Sequence, residues 1–197
     1  MANVVLVDAG GTNIGSVRYA LQRLGVDATL SADAEQIRSA THVILPGVGA
    51  AAPGMLRLRA ARLVETLKRL TQPVLGVCLG MQLFFDHSEE DDTECLGIVP
   101  GTVRHFPQNN KLRVPHMGWN SVHVDKSNPL LDVETDASRA YFVHSYAAST
   151  GDFTIARTNY GTDFTAAVQR DNFFGVQFHP ERSSTFGARV LQKFLAL

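Results

Sequence analysis

Residues 73–80 have the sequence Pro-Val-Leu-Gly-Val-Cys-Leu-Gly, in which a short apolar run leads into a cysteine flanked by glycines. The run predicts a buried strand, and the residues from Leu79 to Phe85 predict a helix directly behind it. Gly76 and Gly80 let the chain turn sharply at this point because they carry no Cβ atom. A side chain at such a strand–turn–helix junction projects from the carboxyl edge of a sheet. We therefore expect Cys78 at that edge.

Short apolar runs alternate with helical patterns through the first half of the chain. Residues 3–8 and 42–45 predict two further buried strands. Apolar residues at helical spacing predict helices over 17–24 and 55–70. Strands that alternate with helices predict an α/β fold, with a mainly parallel central sheet and helices on both of its faces.

The second half of the chain, from Gly97 onward, has a different pattern. It contains short β-like pieces, the last of which covers residues 174–178, and it ends in an amphipathic helix predicted over 186–197. The short pieces predict antiparallel strands added to the sheet. The sequence has no internal repeat and no low-complexity linker, so residues 1–197 are expected to form a single domain.

The composition argues against several classes of function. The 197 residues include 18 Lys and Arg against 19 Asp and Glu, and the net charge is −1. Such a chain has no field that would gather nucleic acid or an anionic membrane. It has neither a secretory leader nor an apolar run of the ~20 residues that cross a bilayer, so we expect a cytoplasmic protein. No pair of histidines or cysteines has metal-ligand spacing, so no metal site is expected.

The two cysteines have different surroundings in the sequence. Most single cysteines are buried structural residues, and this is our interpretation of Cys95. Cys78 differs because it precedes a predicted helix N-terminus, whose partial positive charge favours the reactive thiolate. We therefore expect a nucleophile at Cys78. A disulfide is the less expected use, because intracellular thiols stay reduced.

A nucleophilic thiol needs a base, and His179 is the histidine that has a suitable acid beside it. It lies in Gln177-Phe178-His179-Pro180-Glu181, directly after the last strong strand pattern. Pro180 favours an extended conformation at His179, and residues two apart on an extended chain point to the same side. Glu181 could then orient the imidazole and complete a catalytic triad. The alternative interpretation is a surface histidine beside a solvated glutamate.

Two other histidines are weaker candidates for the base. His144 has no carboxylate two positions away, so we expect it in the core or in a pocket wall. His116 is expected to shape a loop.

Acyl transfer also requires hydrogen-bond donors for the developing oxyanion. One donor is the backbone N–H of Leu79, and a second can come from Val48 or Gly49 in the loop Pro46-Gly47-Val48-Gly49 at another strand end. Glycines on both sides of Val48 let its peptide take either orientation, so the loop can act as a switch. An ordinary glycine-rich turn is an equally good interpretation of this segment alone.

Five segments together resemble the triad-type, class I glutamine amidotransferases, and among them the glutaminase subunits of imidazole glycerol phosphate synthases. These segments are Pro46-Gly47-Val48-Gly49, Gly76 to Gln82, Pro115-His116-Met117-Gly118-Trp119-Asn120, Phe142 to Tyr146, and Gly175 to Glu181. The resemblance implies a flavodoxin-like three-layer fold and hydrolysis of L-glutamine to glutamate and ammonia through a thioester on Cys78. It implies that His179 protonates the departing ammonia, and it implies no cofactor.

The resemblance also assigns residues to substrate binding. Gln82 and Glu90 match positions that hold the amino-acid moiety of glutamine, and backbone groups of Gly49, Ser145 and Tyr146 match others. Gln82 follows Cys78 by four residues, so both can lie on one helix face.

A separate partner subunit is implied as well, because ammonia released into water would be protonated and lost. In the family this partner is a (β/α)8-barrel cyclase, which forms a heterodimer with the glutaminase. It converts phosphoribulosyl-formimino aminoimidazole carboxamide ribonucleotide (PRFAR) to imidazole glycerol phosphate and the carboxamide ribonucleotide AICAR in L-histidine biosynthesis. The positions that match the partner-facing surface are Trp119, Asn120, Tyr141 and Arg182. Many relatives carry Lys where this chain has Arg182. The family also implies a glutaminase that is nearly silent until the cyclase binds its nucleotide.

Two rival functions stay open at this point. Another class I amidotransferase would serve the synthesis of pyridoxal phosphate, anthranilate or guanylate, and Trp119 in its motif argues against that. A redox sensor of similar fold would use Cys78 as a sensing thiol without turnover. A cysteine-alkylating glutamine analogue separates the two classes, because a glutaminase is labelled at Cys78.

Overall fold

The computed structural model of the protein describes residues 3–8, 14–107, 112–132 and 138–197. The α-helices in these ranges are α1 (Ile14–Arg23), α2 (Ala34–Ser39), α3 (Ala51–Ala60), α4 (Val64–Lys68), α5 (Leu79–Gln82) and α6 (Ser184–Leu195). Short 3₁₀ segments cover Glu90–Asp92 and Pro180–Arg182.

The strands fall into one large sheet and two small ones. The large sheet contains β1 (Val4–Val7), β2 (Thr29–Ser31), β3 (His42–Gly47), β4 (Val74–Cys78), β9 (His123–Val124), β12 (Thr154–Asn159), β13 (Asp163–Arg170) and β14 (Phe173–Val176). A two-stranded sheet pairs β8 (His116–Ser121) with β10 (Arg139–His144). The other small sheet contains β5 (His87–Ser88), β6 (Thr93–Glu94), β7 (Thr102–His105) and β11 (Tyr146–Ala148).

The large sheet is mostly parallel. Its strand order is β2-β1-β3-β4-β14-β13-β12-β9. The first five strands in this order pair in parallel, and the last three add antiparallel pairs. The predicted fold class is therefore confirmed: a mainly parallel α/β sheet with antiparallel additions.

Both faces of the sheet are covered, because successive residues of its strands point to opposite sides. In β1, Val4 and Leu6 belong to one buried apolar cluster together with residues of α1 and α6. Val5 and Val7 belong to a second cluster, which contains residues of α2, α3, α4 and α5. Helices on both faces complete a three-layer arrangement.

β14 occupies a position that the sequence pattern did not predict. We expected the last strand, at 174–178, to be an antiparallel addition, but β14 pairs in parallel with β4 and antiparallel with β13. Val176 lies opposite Val77 in the β4–β14 register. The chain segments that follow these two strands therefore leave the sheet side by side at the same edge.

The helix predicted over 55–70 is wrong in extent, because the structure divides it between α3 and α4. Arg62 has a left-handed φ of 55°. The N–H of Leu63 bonds to the carbonyl of Leu58, and the N–H of Arg62 bonds to that of Arg59. This pair of hydrogen bonds is a Schellman C-cap, a motif that usually contains glycine at the left-handed position.

The helix predicted over 79–85 is also shorter than expected, since α5 ends at Gln82. The carbonyls of Leu83, Phe84 and Phe85 accept hydrogen bonds from the backbone of residues 96–99. Those carbonyls are satisfied without further helical turns.

Candidate active site

Cys78 lies at the last position of β4 in a strained backbone conformation, with φ 53° and ψ −109°. Such values are rare for a residue with a side chain and cluster at functional sites. The neighbouring glycines make the turn possible. A Cβ atom on Gly80 would stand 1.8 Å from the carbonyl oxygen of Leu45, and one on Gly76 would stand 2.7 Å from the backbone nitrogen of Met81.

His179 follows β14 and contacts Glu181 directly. Its Nδ1 lies 2.8 Å from the Glu181 Oε1, and their side chains are 3% and 0% exposed. His179 is extended, with φ −96° and ψ 98°, but Pro180–Arg182 forms a 3₁₀ turn. The predicted proximity is thus present, although the turn, and not an extended chain, brings the carboxylate to the ring.

The electrostatic state of His179 depends on two neighbours. Burial alone lowers its pKa, but hydrogen bonding and charge at Cys78 and Glu181 outweigh burial and raise the pKa to about 10. The Nε2 atom makes no aligned hydrogen bond with any residue that the structure describes. The raised pKa favours an imidazolium beside the sulfur at neutral pH.

A cavity of about 520 Å³ opens beside the sulfur. Its wall includes the triad residues Cys78 and His179, and Glu181 supports His179 from behind. The predicted oxyanion and substrate residues that line it are Val48, Gly49, Leu79, Gln82, Glu90, Ser145 and Tyr146. Arg182 also lines the cavity, whereas Trp119, Asn120 and Tyr141 are not among its lining residues.

The loop that carries Val48 packs against the turn at Cys78. Gly47 lies opposite Cys78 in the β3–β4 register. A Cβ atom on Gly47 would stand 2.7 Å from the backbone nitrogen of Gly80. Gly49 has a left-handed φ of 96°, which favours glycine. The loop that carries one predicted oxyanion donor therefore lies against the turn that carries the other.

Gln82 and Glu90 are both hydrogen-bonded to other residues of the protein. Gln82 Nε2 donates to the Tyr146 carbonyl at 2.8 Å and to Gln177 Oε1 at 2.9 Å. Glu90 Oε2 accepts from the backbone N–H of Ala51 at 2.8 Å. Burial raises the pKa of Glu90, and the Ala51 hydrogen bond opposes that shift.

His144 and His116 form a buried pair behind the cavity. His144 Nδ1 lies 2.8 Å from the Tyr146 carbonyl, and His144 Nε2 lies 3.2 Å from His116 Nδ1. A carbonyl can only accept, so His144 Nδ1–H donates to the Tyr146 carbonyl, and His144 Nε2 accepts a hydrogen bond from His116 Nδ1–H. The prediction that His144 lies in a pocket wall is confirmed. The loop predicted at His116 is wrong, because His116 begins β8.

Three of the residues predicted to face a partner, Trp119, Asn120 and Tyr141, lie on the two-stranded sheet, and Arg182 lies in the 3₁₀ turn beside it. Trp119 is 46% exposed. It lies opposite Tyr141 in the β8–β10 register, with ring centroids 6.2 Å apart. The Arg182 guanidinium stacks 4.3 Å above the Tyr141 ring. Asn120 differs from them, because its Nδ2 contacts His116 Nε2 and the Asn159 carbonyl within the protein.

Gln177 is a site residue that our sequence reasoning missed. Its side chain is fully buried, and its Nε2 lies 3.7 Å from the Cys78 sulfur. The available signal was a polar residue in an otherwise apolar strand pattern, in Phe174-Gly175-Val176-Gln177-Phe178. Polar groups at such positions need hydrogen-bond partners.

Neither a metal cluster nor a membrane-spanning helix is found in the part of the chain that the structure describes. No group of three or more His, Cys, Asp or Glu side chains there could hold a metal ion. No helix in the same residues is long and apolar enough to span a bilayer.

Comparisons with known proteins place this site in a family. The family "Glutamine amidotransferase class-I" matches residues 5–197. The imidazole glycerol phosphate synthase subunit HisH of Xanthomonas axonopodis pv. citri is 54% identical over 197 residues, which covers 100% of this chain and 98% of that protein. The HisH subunit of Xylella fastidiosa (strain Temecula1) is 51% identical with the same coverage.

Solved structures share the fold at lower identity. A glutamine amidotransferase structure gives a TM-score of 0.73 at 18% identity, over 98% of this chain and 97% of that one. The PurLQS structure from Thermotoga maritima gives 0.70 at 18% identity, over 100% and 99%. The chain therefore belongs to the class-I glutamine amidotransferase family of enzymes and, within it, to the HisH subunits of imidazole glycerol phosphate synthase.

Proposed function

We propose that this chain is the glutaminase subunit of an imidazole glycerol phosphate synthase and hydrolyses L-glutamine at Cys78. The ammonia passes to a separate (β/α)8-barrel cyclase, which uses it to convert PRFAR to imidazole glycerol phosphate and AICAR in L-histidine biosynthesis. One observation carries this proposal. Cys78 and His179 follow two hydrogen-bonded parallel strands at the same edge and line one cavity, and Glu181 is hydrogen-bonded to His179.

The proposed reaction begins with attack of the Cys78 thiolate on the γ-amide carbon of glutamine. The resulting tetrahedral oxyanion collapses, the C–N bond breaks, and the His179 imidazolium gives its proton to the departing nitrogen. Ammonia leaves and a thioester remains. Neutral His179 then takes a proton from water, whose oxygen attacks the thioester carbon, so that glutamate and the thiolate are released. Glu181 holds the imidazole ring in place through both steps.

The proposed oxyanion donors are the backbone N–H groups of Leu79 and of Val48 or Gly49. Their support is the contact between the Val48 loop and the turn at Cys78, with Gly47 opposite Cys78. An N–H removed from such a hole typically costs about 10² to 10³ in kcat. The orientation of the Val48 peptide is the proposed switch.

The proposed substrate contacts use the groups that the protein has not already engaged. Both N–H groups of Gln82 have acceptors within the protein, so Gln82 would contact glutamine through its carbonyl oxygen. Glu90 would attract the substrate ammonium group with its carboxylate. The backbone of Ser145 and Tyr146 completes the same wall.

The proposed partner surface includes Trp119, Tyr141 and Arg182, whose side chains contact one another and offer a partly exposed aromatic anchor. Aromatic and Arg residues are the most frequent hot spots of interfaces. Asn120 lies at the same surface, but its side chain contacts residues of this chain. Arg182 also lines the cavity, which supports a partner surface next to the proposed site.

We also propose that residues 1–197 act as one domain in the cytoplasm. The two buried apolar clusters share the central sheet, which supports a single unit. Cys78 and Cys95 are free thiols, which suits a reducing compartment.

The test is glutamate release by the purified chain, measured alone and with a cyclase and its nucleotide. We expect slow release by the chain alone and a strong increase in the ternary mixture. A cysteine-alkylating glutamine analogue should label Cys78 with one equivalent. Absence of both glutamate release and labelling in the ternary mixture would refute the proposal.

A further inference from the structure

We infer that Gln177 donates a hydrogen bond to the Cys78 thiolate and holds the nucleophile in its charged form. This inference rests on the proposed role of Cys78. The contact joins Gln177 Nε2 to the Cys78 sulfur at 3.7 Å, across 99 positions of sequence. Gln177 is 0% exposed and Cys78 is 7% exposed, so the contact between them is largely shielded from water.

The Tyr146 carbonyl, acting through Gln82, determines which end of the Gln177 amide faces the sulfur. The Tyr146 backbone carbonyl can only accept a hydrogen bond, so the Gln82 atom at 2.8 Å from it must be the amide nitrogen. That same nitrogen lies 2.9 Å from Gln177, whose facing atom must therefore be its carbonyl oxygen. The opposite end of the Gln177 amide, the NH₂ group, then faces the sulfur.

A donor in this position distinguishes thiolate from thiol. Sulfur in a neutral thiol is a weak acceptor, whereas hydrogen bonds to an ionised group are roughly twice as strong as neutral ones. The Gln177 NH₂ group therefore favours the charged form of Cys78.

Gln177 can stabilise the negative sulfur throughout the reaction, which His179 cannot do. His179 loses its positive charge when it protonates the departing ammonia, and it regains that charge only when it takes a proton from the attacking water. The thiolate leaves the thioester carbon at the end of that step. A neutral amide donor keeps its proton and so remains available to stabilise the sulfur as it becomes negative.

Gln82 becomes a positioning residue in addition to its proposed substrate contact. It acts on the sulfur through Gln177, because its two N–H groups connect the Tyr146 carbonyl to the Gln177 carbonyl.

The experiment compares Gln177→Met, which keeps the side-chain volume but removes the donor, with the parent chain. Iodoacetamide alkylation of Cys78 is measured against pH and located by peptide mass. Burial raises the pKa of the Cys95 thiol to about 11, so Cys95 stays unreactive near neutral pH. We expect the acid limb of the Cys78 profile to move upward by about one pH unit, a tenfold loss in the thiolate-to-thiol ratio.

A matched control and a second measurement complete the test. Gln192→Met, at an exposed position of α6, should reproduce the parent profile. If Gln177→Met does not fold, the side-chain amide signals of Gln177 in the parent chain should shift with the same midpoint as alkylation. The inference would be overturned if the alkylation profiles of Gln177→Met and the parent superimpose, or if Gln177→Met lowers the alkylation rate equally at every pH. It would also be overturned if the Gln177 amide signals do not shift at the midpoint of alkylation. Glutamate release is not part of the readout, so a chain that shows the shift but lacks glutaminase activity contradicts only the proposed function.

Discussion

The backbone carbonyl of Tyr141 accepts a hydrogen bond from the backbone N–H of His179 at 2.9 Å. One residue thus carries an aromatic ring on the proposed partner surface and a main-chain contact to the proposed base. Its ring lies between Trp119 and Arg182. A partner that docks at this surface and shifts Tyr141 would therefore act on His179 through a single backbone hydrogen bond.

Replacement of Trp119 by alanine is expected to weaken cyclase binding by about tenfold to a hundredfold, the usual effect of a buried aromatic anchor. The dissociation constant can be measured by calorimetry. Leu56→Ala provides the matched control, because Leu56 is 68% exposed on α3, outside the two-stranded sheet. Equal dissociation constants for Trp119→Ala and the parent would show that Trp119 is not part of the interface.

Replacement of Cys78 by alanine is expected to lower glutamine-dependent synthesis by roughly 10³-fold or more, because the variant cannot form a thioester. Synthesis by the complex from added ammonium salts should continue. Cys95→Ala should keep both activities, since Cys95 lies outside the cavity wall. Loss of the ammonium-dependent reaction in Cys78→Ala would contradict the division of labour between the two subunits.

Replacement of Glu181 by glutamine is expected to lower kcat by about 10² to 10⁴-fold, because the imidazole loses its orienting charge. The same change should lower the pKa of His179, since Glu181 is one of the groups that raise it. An NMR titration of the imidazole measures this directly. Glu94→Gln, at an exposed carboxylate, serves as the control. An unchanged His179 titration in Glu181→Gln would show that the contact is not electrostatically important.

The buried His116–His144 pair is expected to make the fold sensitive to acid. Burial lowers the pKa of His116 from 6.5 to about 4 and that of His144 from 6.5 to about 3. Between those values and 6.5 the unfolded chain binds protons that the folded chain does not, so the free energy of unfolding falls as the pH falls. The loss between pH 6.5 and 5 is on the order of 2 kcal/mol for each histidine.

Thermal melts between pH 7 and 5 test this expectation. Tm should fall steeply for the parent chain and less steeply for His116→Gln, which removes one of the two groups. His123→Gln, at an exposed histidine, should follow the parent curve. Parallel curves for all three chains would show that the pair does not govern acid stability.

Replacement of Gly80 by alanine is expected to destabilise the fold by about 3 kcal/mol or more, because the added Cβ would overlap the Leu45 carbonyl oxygen. Denaturant unfolding measures the change. Gly15→Ala is the control: among the described residues its Cβ would meet only the Tyr19 ring, at 3.8 Å, and the change should be neutral or slightly stabilising. Similar unfolding curves for Gly80→Ala and the parent would show that β3 can shift to make room for the added Cβ atom.

The sequence predicted the layers of the fold and the Cys78, His179 and Glu181 grouping because these features have local signals. The spacing of Gly76 and Gly80 predicts the turn at Cys78, and Pro180 indicates the backbone conformation at His179. The split between α3 and α4 could not be predicted, because Arg62 occupies a left-handed cap that usually requires glycine. The parallel position of β14 was also hidden, because strand order depends on packing between distant segments. Gln177 was missed for the same reason, since its partners Cys78 and Gln82 lie about a hundred positions away.

The pairing of Val77 with Val176 limits how the enzyme can be regulated. Both strands lie inside the central sheet, where opening requires a free energy close to that of global unfolding. The backbone segments that lead to Cys78 and His179 therefore stay side by side while the protein remains folded. We therefore expect control of turnover to come from the parts that surround the proposed nucleophile and base, such as the Val48 peptide, and not from separation of the two strands.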